Sequence, residues 1–399
     1  PCYSLLGEAS MRWKKITLSE EFLSESVGCG DFNRDGHMDV VAGPYWFEGP
    51  DFRVRHEVFE APPFDPHGYS VTTQPCFVHD FNGDGWPDVF YVIRPPGEKR
   101  NYGFHGWGDA VGWEGVWYEN PAGRDRPWRP HVVLNNIANE ALVWGDVNGD
   151  GRPEPVYSSR EGYGYAVFDP DAPQEPWTFR LVSKPMRLGL SHGVGIGDID
   201  GNGRTDIVAG DGWWEQPPDP SADGPWTWHE FPFAKRPADV LVFDVDGDGL
   251  NDIVTAWDCH RYGLLWYRQV RRGEDIRWDC RQILSPEPDL ASDELRISQM
   301  HALAPADPKG NGRPGIVTGR RWWAHGPDGD VEADQPAVLY WFELQRDAAG
   351  GVTSVPHLVD AESGVGTQVA IAVLNGDGKA DIVTSNKKGT FVFFAEEVS

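Results

Sequence analysis

Five nine-residue stretches carry oxygen-bearing side chains at positions one, three, five and nine, around a glycine at position six. They are "DFNRDGHMD" from Asp31, "DFNGDGWPD" from Asp80, "DVNGDGRPE" from Asp146, "DIDGNGRTD" from Asp198 and "DVDGDGLND" from Asp244. Oxygen-only donors on a flexible loop, with a carbonyl available at position seven, suit Ca2+ better than the smaller Mg2+, which keeps its waters. The glycine permits the sharp turn. The expected ligands are Asp31, Asn33, Asp35 and Asp39; Asp80, Asn82, Asp84 and Asp88; Asp146, Asn148, Asp150 and Glu154; Asp198, Asp200, Asn202 and Asp206; and Asp244, Asp246, Asp248 and Asp252. Two further copies are worn. "DPKGNGRPG" has Lys309 and Gly315 at ligand positions and is expected to bind nothing, whereas "VLNGDGKAD" keeps Asn375, Asp377 and Asp381. About five structural calcium ions are therefore expected. A β-branched run follows each intact loop, and a glutamate at position twelve is missing, so these loops join strands and are not EF-hands.

The histidines form the second chemical set. His56, His131, His229 and His357 recur in similar contexts such as "RHEVF" and "PHVVL", which points to a repeated structural role in an outer strand. His37 and His79 adjoin acidic loops and are expected to be structural as well. His192 and His301 instead stand six residues before an acidic loop, while His67, His105 and His260 lie in loops of their own. Two chemistries fit this second group. His192 and His301, with Asp239 and Asp258, could hold Zn2+ or another divalent cation as a Lewis acid. Alternatively a histidine acts as general base while Arg160, Arg320 or Lys387 stabilises an enolate. The candidate catalytic residues are His192, His301, His67, Glu140, Arg160 and His260. Gln74, Tyr69, Tyr163, Trp257 and Arg320 are candidates for substrate binding.

Such groups need a scaffold, and the repeat supplies it. The seven acidic loops are spaced 46 to 66 residues apart, a period suited to one four-stranded propeller blade with insertions. Each unit runs from a small-and-apolar stretch through the loop to a β-branched stretch ("DIVAG"). An aromatic stretch ("VWYENP", "GWWEQP") and an outer one ("WRPHVVL") complete it. The predicted fold is all-β: a seven-bladed β-propeller occupying residues 11–399 as one domain, with 1–10 an extension. After the seventh loop the chain stops one strand short. "WKKITL" (residues 13–18) matches the missing outer strand, so the last blade is expected to be closed by the N-terminal segment. Insertions at 60–74, 93–114, 158–166, 285–300 and 320–337 then fall on the ring face opposite the acidic loops. Function concentrates on such loops. Counting six residues back from each acidic loop gives Glu25, Gln74, Glu140, His192, Ala238, His301 and Thr367 at that mouth, and these are not repeats of one another.

Composition excludes several classes. A formal charge of −27 disfavours nucleic acid or an anionic membrane as partner. No apolar run reaches the ~18 residues of a membrane span. The five cysteines lack framework spacing. No signal peptide is evident, and a cytoplasmic location is favoured, with export after leader removal as the alternative. The sequence also lacks a GxSxG elbow, a P-loop, an HExxH motif and a strand-linked GxGxxG. The expected partner is a small sugar or glycan.

The acidic loops resemble those of the FG-GAP/VCBS family of calcium-binding β-propellers, over nearly the whole chain. "SHGVGIGDIDGNGRTDIVAGDGWWEQP" and "GVWYENPAG" resemble, more narrowly, the propeller domain of the aldos-2-ulose dehydratase family, in which the propeller is joined to cupin domains. That resemblance implies a carbohydrate lyase that removes water from a keto-sugar such as 1,5-anhydrofructose. Its rivals are a non-catalytic calcium-dependent lectin or protein-interaction propeller, and a polysaccharide lyase.

Overall fold

The structure, a computed structural model, describes residues 11–61, 64–67, 74–93, 113–185, 192–222, 224–273, 275–347 and 350–397. Its strands form seven four-stranded antiparallel sheets, each running from an inner to an outer strand. Blade 1 comprises Gly28–Gly30, Asp39–Ala42, Tyr45–Phe47 and Arg55–Glu57; blade 2, Gln74–His79, Asp88–Ile93, Trp113–Glu119 and Arg129–Ile137; blade 3, Val143–Gly145, Glu154–Ser158, Tyr163–Val167 and Thr178–Leu181. Blade 4 comprises Gly195–Gly197, Asp206–Ala209, Gly212–Glu215 and Thr227–Glu230; blade 5, Val240–Phe243, Asp252–Ala256, Leu264–Arg272 and Asp275–Leu284. Blade 6 comprises Leu303–Ala306, Gly315–Gly319, Leu339–Arg346 and Val352–Asp360. Blade 7 takes Val369–Ala372, Asp381–Asn386 and Gly389–Glu397 from the C-terminal end and Met11–Ser19 from the N-terminal end. The predicted closure is therefore present, and it pairs the edge that would otherwise be left open. No helix occurs among the described residues, hence none long and apolar enough to cross a membrane.

Inner strands are short and rich in small residues because they crowd around the axis. A Cβ on Gly195 would meet the Val240 carbonyl oxygen of the next blade at 2.3 Å. The core lies between blades: Phe32, Val41 and Trp46 of blade 1 pack with Cys76, Val89, Tyr91 and Val116 of blade 2. The β-branched second strands are buried throughout, and each such side chain contributes about 1.5–3 kcal/mol.

The ninth loop residue has a structural job in most blades. One Asp39 oxygen accepts the Phe32 N–H and the other accepts the Gly49 N–H, both at 2.8 Å. Asp88, Asp206, Asp252 and Asp381 repeat this staple between the acidic loop and the end of the third strand. Burial pushes these carboxyls up, Asp88 to about 8 and Asp206 to about 7, and the neighbouring loop aspartates push the same way while the N–H donors oppose. First-position side chains cap the loop interior: the Asp31 carboxylate accepts the Asp35 and Gly36 N–H groups, and Asp80, Asp198 and Asp244 do the same. In blades 2, 4 and 5 an amide at the end of the third strand then ties the acidic loop to that of the preceding blade. Asn120 reaches the Phe32 carbonyl, Gln216 the Val147 carbonyl and Gln269 the Ile199 carbonyl. Blade 6 has Leu344 there, and Arg346 reaches the Val245 carbonyl instead.

The four repeated histidines occupy the outer strands as expected. His56, His131, His229 and His357 stack on Trp46, Trp117, Trp213 and Trp341 with ring centroids 4.0, 4.4, 4.1 and 4.9 Å apart. Their Nε2 atoms hydrogen-bond to Glu48, Glu119, Glu215 and Glu343.

Candidate functional site

At the mouth end of the inner strands, three histidines from different blades meet. His192 precedes the first strand of blade 4, His301 precedes that of blade 6, and His260 lies in the turn after Asp252–Ala256 of blade 5. Gly193, with a φ of +62°, lets the backbone turn directly after His192; a Cβ there would sit 1.9 Å from the Ala238 carbonyl oxygen. The His192 and His260 rings are 5.0 Å apart between centroids, His192 and His301 5.6 Å, and His260 and His301 4.8 Å. The Nε2 atoms of His192 and His260 are 3.2 Å apart. That spacing is close to the ~3.3 Å edge of a tetrahedron with Zn–N bonds of about 2.0 Å.

Each ring's other nitrogen faces an oxygen. His192 Nδ1 lies 3.5 Å from Glu140 Oε2, His260 Nδ1 lies 3.5 Å from Asp330 Oδ1, and His301 Nδ1 is 3.1 Å from the Gln299 carbonyl oxygen. Only the His301 contact has hydrogen-bond geometry; His192 and His260 meet their carboxylates at ion-pair distance, His260 Nδ1 is buried without a hydrogen-bond partner, and the Nε2 atoms of these two rings face each other. Metal-ligating histidines are generally held by an acceptor at the other ring nitrogen, as His301 is here. His301 is 3% exposed and its Nε2 is buried with no hydrogen-bond partner. One potential donor atom from each histidine and from Cys259 lies within 4.8 Å of all the others. Burial pushes the His192 imidazole down to about 4, against the pull of Glu140, and pushes His301 well below its ordinary value, helped by Arg321. Both are therefore neutral at pH 7, the form that binds metal.

Beneath them lies a buried ion network. Arg321, 0% exposed, holds both Glu25 oxygens at 3.1 and 2.5 Å and Glu140 Oε2 at 3.1 Å. The Arg321 N–H also donates to the Gln299 carbonyl, the group that backs His301. Glu25, Glu140 and Arg321 come from the approaches to blades 1 and 3 and the insertion in blade 6, so one guanidinium ties together three sectors of the ring. Burial acts to raise the Glu140 carboxyl, yet Arg321 and then His192 hold it below the usual range. Two residues here have left-handed backbones, Gln299 at φ 60° and Trp323 at φ 56°. Such strain in non-glycine residues gathers at functional sites.

The inserted loop 320–337 supplies a second layer. Asp330 accepts the His325 N–H and His325 Nδ1–H, both at 2.8 Å, and also faces His260. Burial works to raise Asp330, but the facing imidazoles of His260 and His325 pull it far below the usual carboxylate range. Arg321, His325 and Asp330 are absent from the catalytic and binding candidates read from the sequence. The legible signal was the insertion itself, with "HGPDGD" placing an imidazole and a carboxylate five residues apart.

Other sequence candidates separate clearly. His192, His260, His301 and Glu140 are brought together. Asp239 does not join the histidine cluster: its Oδ2 accepts the Leu303 N–H at 3.0 Å, bracing blade 5 against blade 6. Asp258 is likewise engaged, accepting from Arg236 at 2.7 Å and from the His260 N–H at 3.1 Å. Arg160 is exposed on the tight turn closed by Ser159 and Gly162. Arg320 is spent on Glu332 and the Pro336 carbonyl. Tyr163 is buried against Trp214, and Trp257 packs into the cluster between blades 4 and 5. His67 is exposed, paired with Asp65 and tilted against Trp323. Gln74 begins the first strand of blade 2; Tyr69 and His105 lie outside the described residues.

In the acidic loops, Asp198, Asp200 and Asp206 bring carboxylate oxygens within 4.8 Å of one another, as do Asp244, Asp246 and Asp248. In the latter loop Arg268 already pairs with Asp246 and Asp248. Lys309 of the sixth loop pairs with Glu343.

Comparison with known proteins follows the fold. Residues 80–157 match the FG-GAP-like repeat family. The sequence has no match among curated proteins. The structure is similar to BBS1N from its complex with ARL6DN, with a TM-score of 0.52 at 9% identity over 97% of each chain; that likeness is one of fold. An Agrocybe aegerita lectin specific for non-reducing terminal N-acetylglucosamine aligns with a TM-score of 0.44 at 17% identity, over 82% of this chain and 86% of that one. The rhamnogalacturonan lyase YesW aligns with a TM-score of 0.47 at 14% identity, over 96% of this chain and 72% of that one.

Proposed function

We propose that the axial site is a divalent-metal centre of a carbohydrate lyase that removes water from a keto-sugar such as 1,5-anhydrofructose. The observation that carries it is the convergence of His192, His260 and His301, each offering a nitrogen within 4.8 Å of the others, with His260 Nδ1 and His301 Nε2 buried and without hydrogen-bond partners. These three residues would hold an ion of the zinc class, which supplies Lewis acidity towards a ketone oxygen. The sugar substrate rests on the resemblance of the stretch from Ser191 to Pro217 to the aldos-2-ulose dehydratase family.

His325 is the proposed base. Its Nδ1–H donates to Asp330, which leaves Nε2 as the basic nitrogen for the C–H next to the ketone. As that bond breaks, the carbon–carbon double bond forms and the β-hydroxyl departs, taking up the proton from the imidazolium as water. Glu140 and Asp330 hold ring orientation, and Arg321 holds Glu140. The acidic loops are proposed to bind structural Ca2+ at the opposite ends of the inner strands.

Incubation of zinc- and calcium-replete protein with 1,5-anhydrofructose should give a rising enone absorbance, abolished in His192→Ala and His260→Ala. No absorbance change, together with binding to a glycan array, would reassign the propeller to glycan recognition.

A further inference from the structure

We propose that Cys259 is a fourth protein ligand of the axial centre, making it a three-imidazole, one-thiolate site; this rests on the axial metal proposed above. Cys259 is adjacent to His260 in the chain and fully buried, and its sulfur lies within 4.8 Å of the ligand nitrogens of His192, His260 and His301. The turn that carries it is fixed on both sides. The Cys259 N–H donates to the Arg236 carbonyl, and Asp258 grips the Arg236 guanidinium and the His260 N–H. A second observation points to a ligand at the same place: His301, only 3% exposed, has a buried Nε2 without a partner and offers a nitrogen to the same cluster. An orphaned buried nitrogen is costly, and a metal ion satisfies it where no protein donor does.

The chemistry balances without an added reagent. A divalent ion entering the site forms the metal–sulfur bond as the Cys259 thiol loses its proton to solvent, so uptake releases protons. A thiolate among imidazoles selects zinc-class ions over the hard cations suited to the acidic loops. Four protein donors would fill a tetrahedral shell, so action on a ketone oxygen would require a fifth position or release of one donor.

The metal-free full-length protein, with excess Ca2+ to occupy the acidic loops, is titrated with Co2+. Tetrahedral visible bands together with a near-ultraviolet sulfur-to-cobalt band are expected. Cys259→Ser should lose the near-ultraviolet band, keep the visible bands and bind Co2+ at least tenfold more weakly, while Cys280→Ser keeps both bands. Visible bands without the sulfur band in the wild type would overturn the Cys259 assignment and leave the three-histidine centre standing; no visible bands would remove both. X-ray absorption of the zinc-loaded wild type needs no variant. One sulfur near 2.3 Å beside nitrogens near 2.0 Å is expected, and an all-nitrogen or nitrogen–oxygen shell would overturn the assignment.

Discussion

The two ends of the inner strands use carboxylates in opposite ways. At the loop end, the same carboxylates recur blade after blade, and their oxygens accept N–H groups of their own turn and their own third strand. At the mouth end, Glu25, Glu140 and Asp330 occur once each and reach side chains from other blades, Arg321, His192 and His260, with Asp330 also holding His325 of its own loop. Repetition therefore marks what every blade needs in order to form, whereas divergence at equivalent positions marks what the assembled ring does. If this division is right, damage at the loop end should change stability and leave metal binding at the proposed axial centre untouched. Damage at the mouth should do the reverse, except where the mouth is itself held by buried charge.

Arg321 is that exception and should show the largest effect. Arg321→Met leaves Glu25 and Glu140 buried without their counter-ion, and breaking such a network costs about 3–5 kcal/mol. Denaturant unfolding reads the loss. Arg321→Lys, which keeps the charge but not the fork, should fall in between. A variant as stable as the wild type would show that the network does not hold the ring together.

Calcium at the loop end comes next. A ligand at 100 times its dissociation constant stabilises by about 2.7 kcal/mol per site, so a calcium-selective chelator should lower the melting temperature by several degrees. The Co2+ spectrum of the axial site should survive that treatment. Loss of both together would merge the two regions into one metal system. Asp206→Asn loses charge and leaves one of the Ile199 and Gln216 N–H groups facing an amide donor, so it should lower the chelator-sensitive part of the stability and also cost about 1–3 kcal/mol that chelation does not remove.

Asp330→Asn tests the mouth without touching the candidate ligands. Groups that orient metal-bound histidines typically matter by about 10–100-fold in affinity or activity. The expected outcome is weaker Co2+ binding and slower enone formation with unchanged unfolding. Unchanged Co2+ affinity would reduce Asp330 to a loop brace for His325.

The fold was legible because its signal is repeated. Seven acidic loops with strands at a fixed offset, and an orphan outer strand at Trp13–Leu18, dictate a ring and its closure. Part of the site was legible from the same register: counting six residues back placed Glu25, Glu140, His192 and His301 at one mouth. The rest fails for identifiable reasons. Asp239 and Asp258 are taken up by the Leu303 N–H and by Arg236, contacts set by which blades adjoin and not by local pattern. Arg321, His325 and Asp330 sit in an insertion that has no counterpart in other blades, so no register could align them.

Asp239 turns that failure into a pH test. Burial raises its carboxyl to about 7, with the Leu303 N–H opposing. A carboxyl raised on folding favours the protonated form, so its contribution is most favourable below about pH 4 and declines as pH climbs through 7. Asp239→Asn removes that decline. The variant should match the wild type near pH 4 and exceed it at pH 8 by up to about 4 kcal/mol. Equal slopes would mean that Asp239 is already ionised in the folded protein.

The smallest effect separates the two populations of histidine. His131 stacks on Trp117 at 4.4 Å and bonds to Glu119 at 3.0 Å on an outer strand, far from any convergence of nitrogens. His131→Ala removes both contacts and should cost about 1–2 kcal/mol, whereas His131→Phe keeps the stack and should cost less. Neither should alter enone formation or the Co2+ spectrum, because nothing in the outer strand reaches the axis except through the whole blade. A change in either readout would show that the ladder of tryptophan and histidine positions the mouth as well as the rim, and the separation of the two ends would fail at its weakest point.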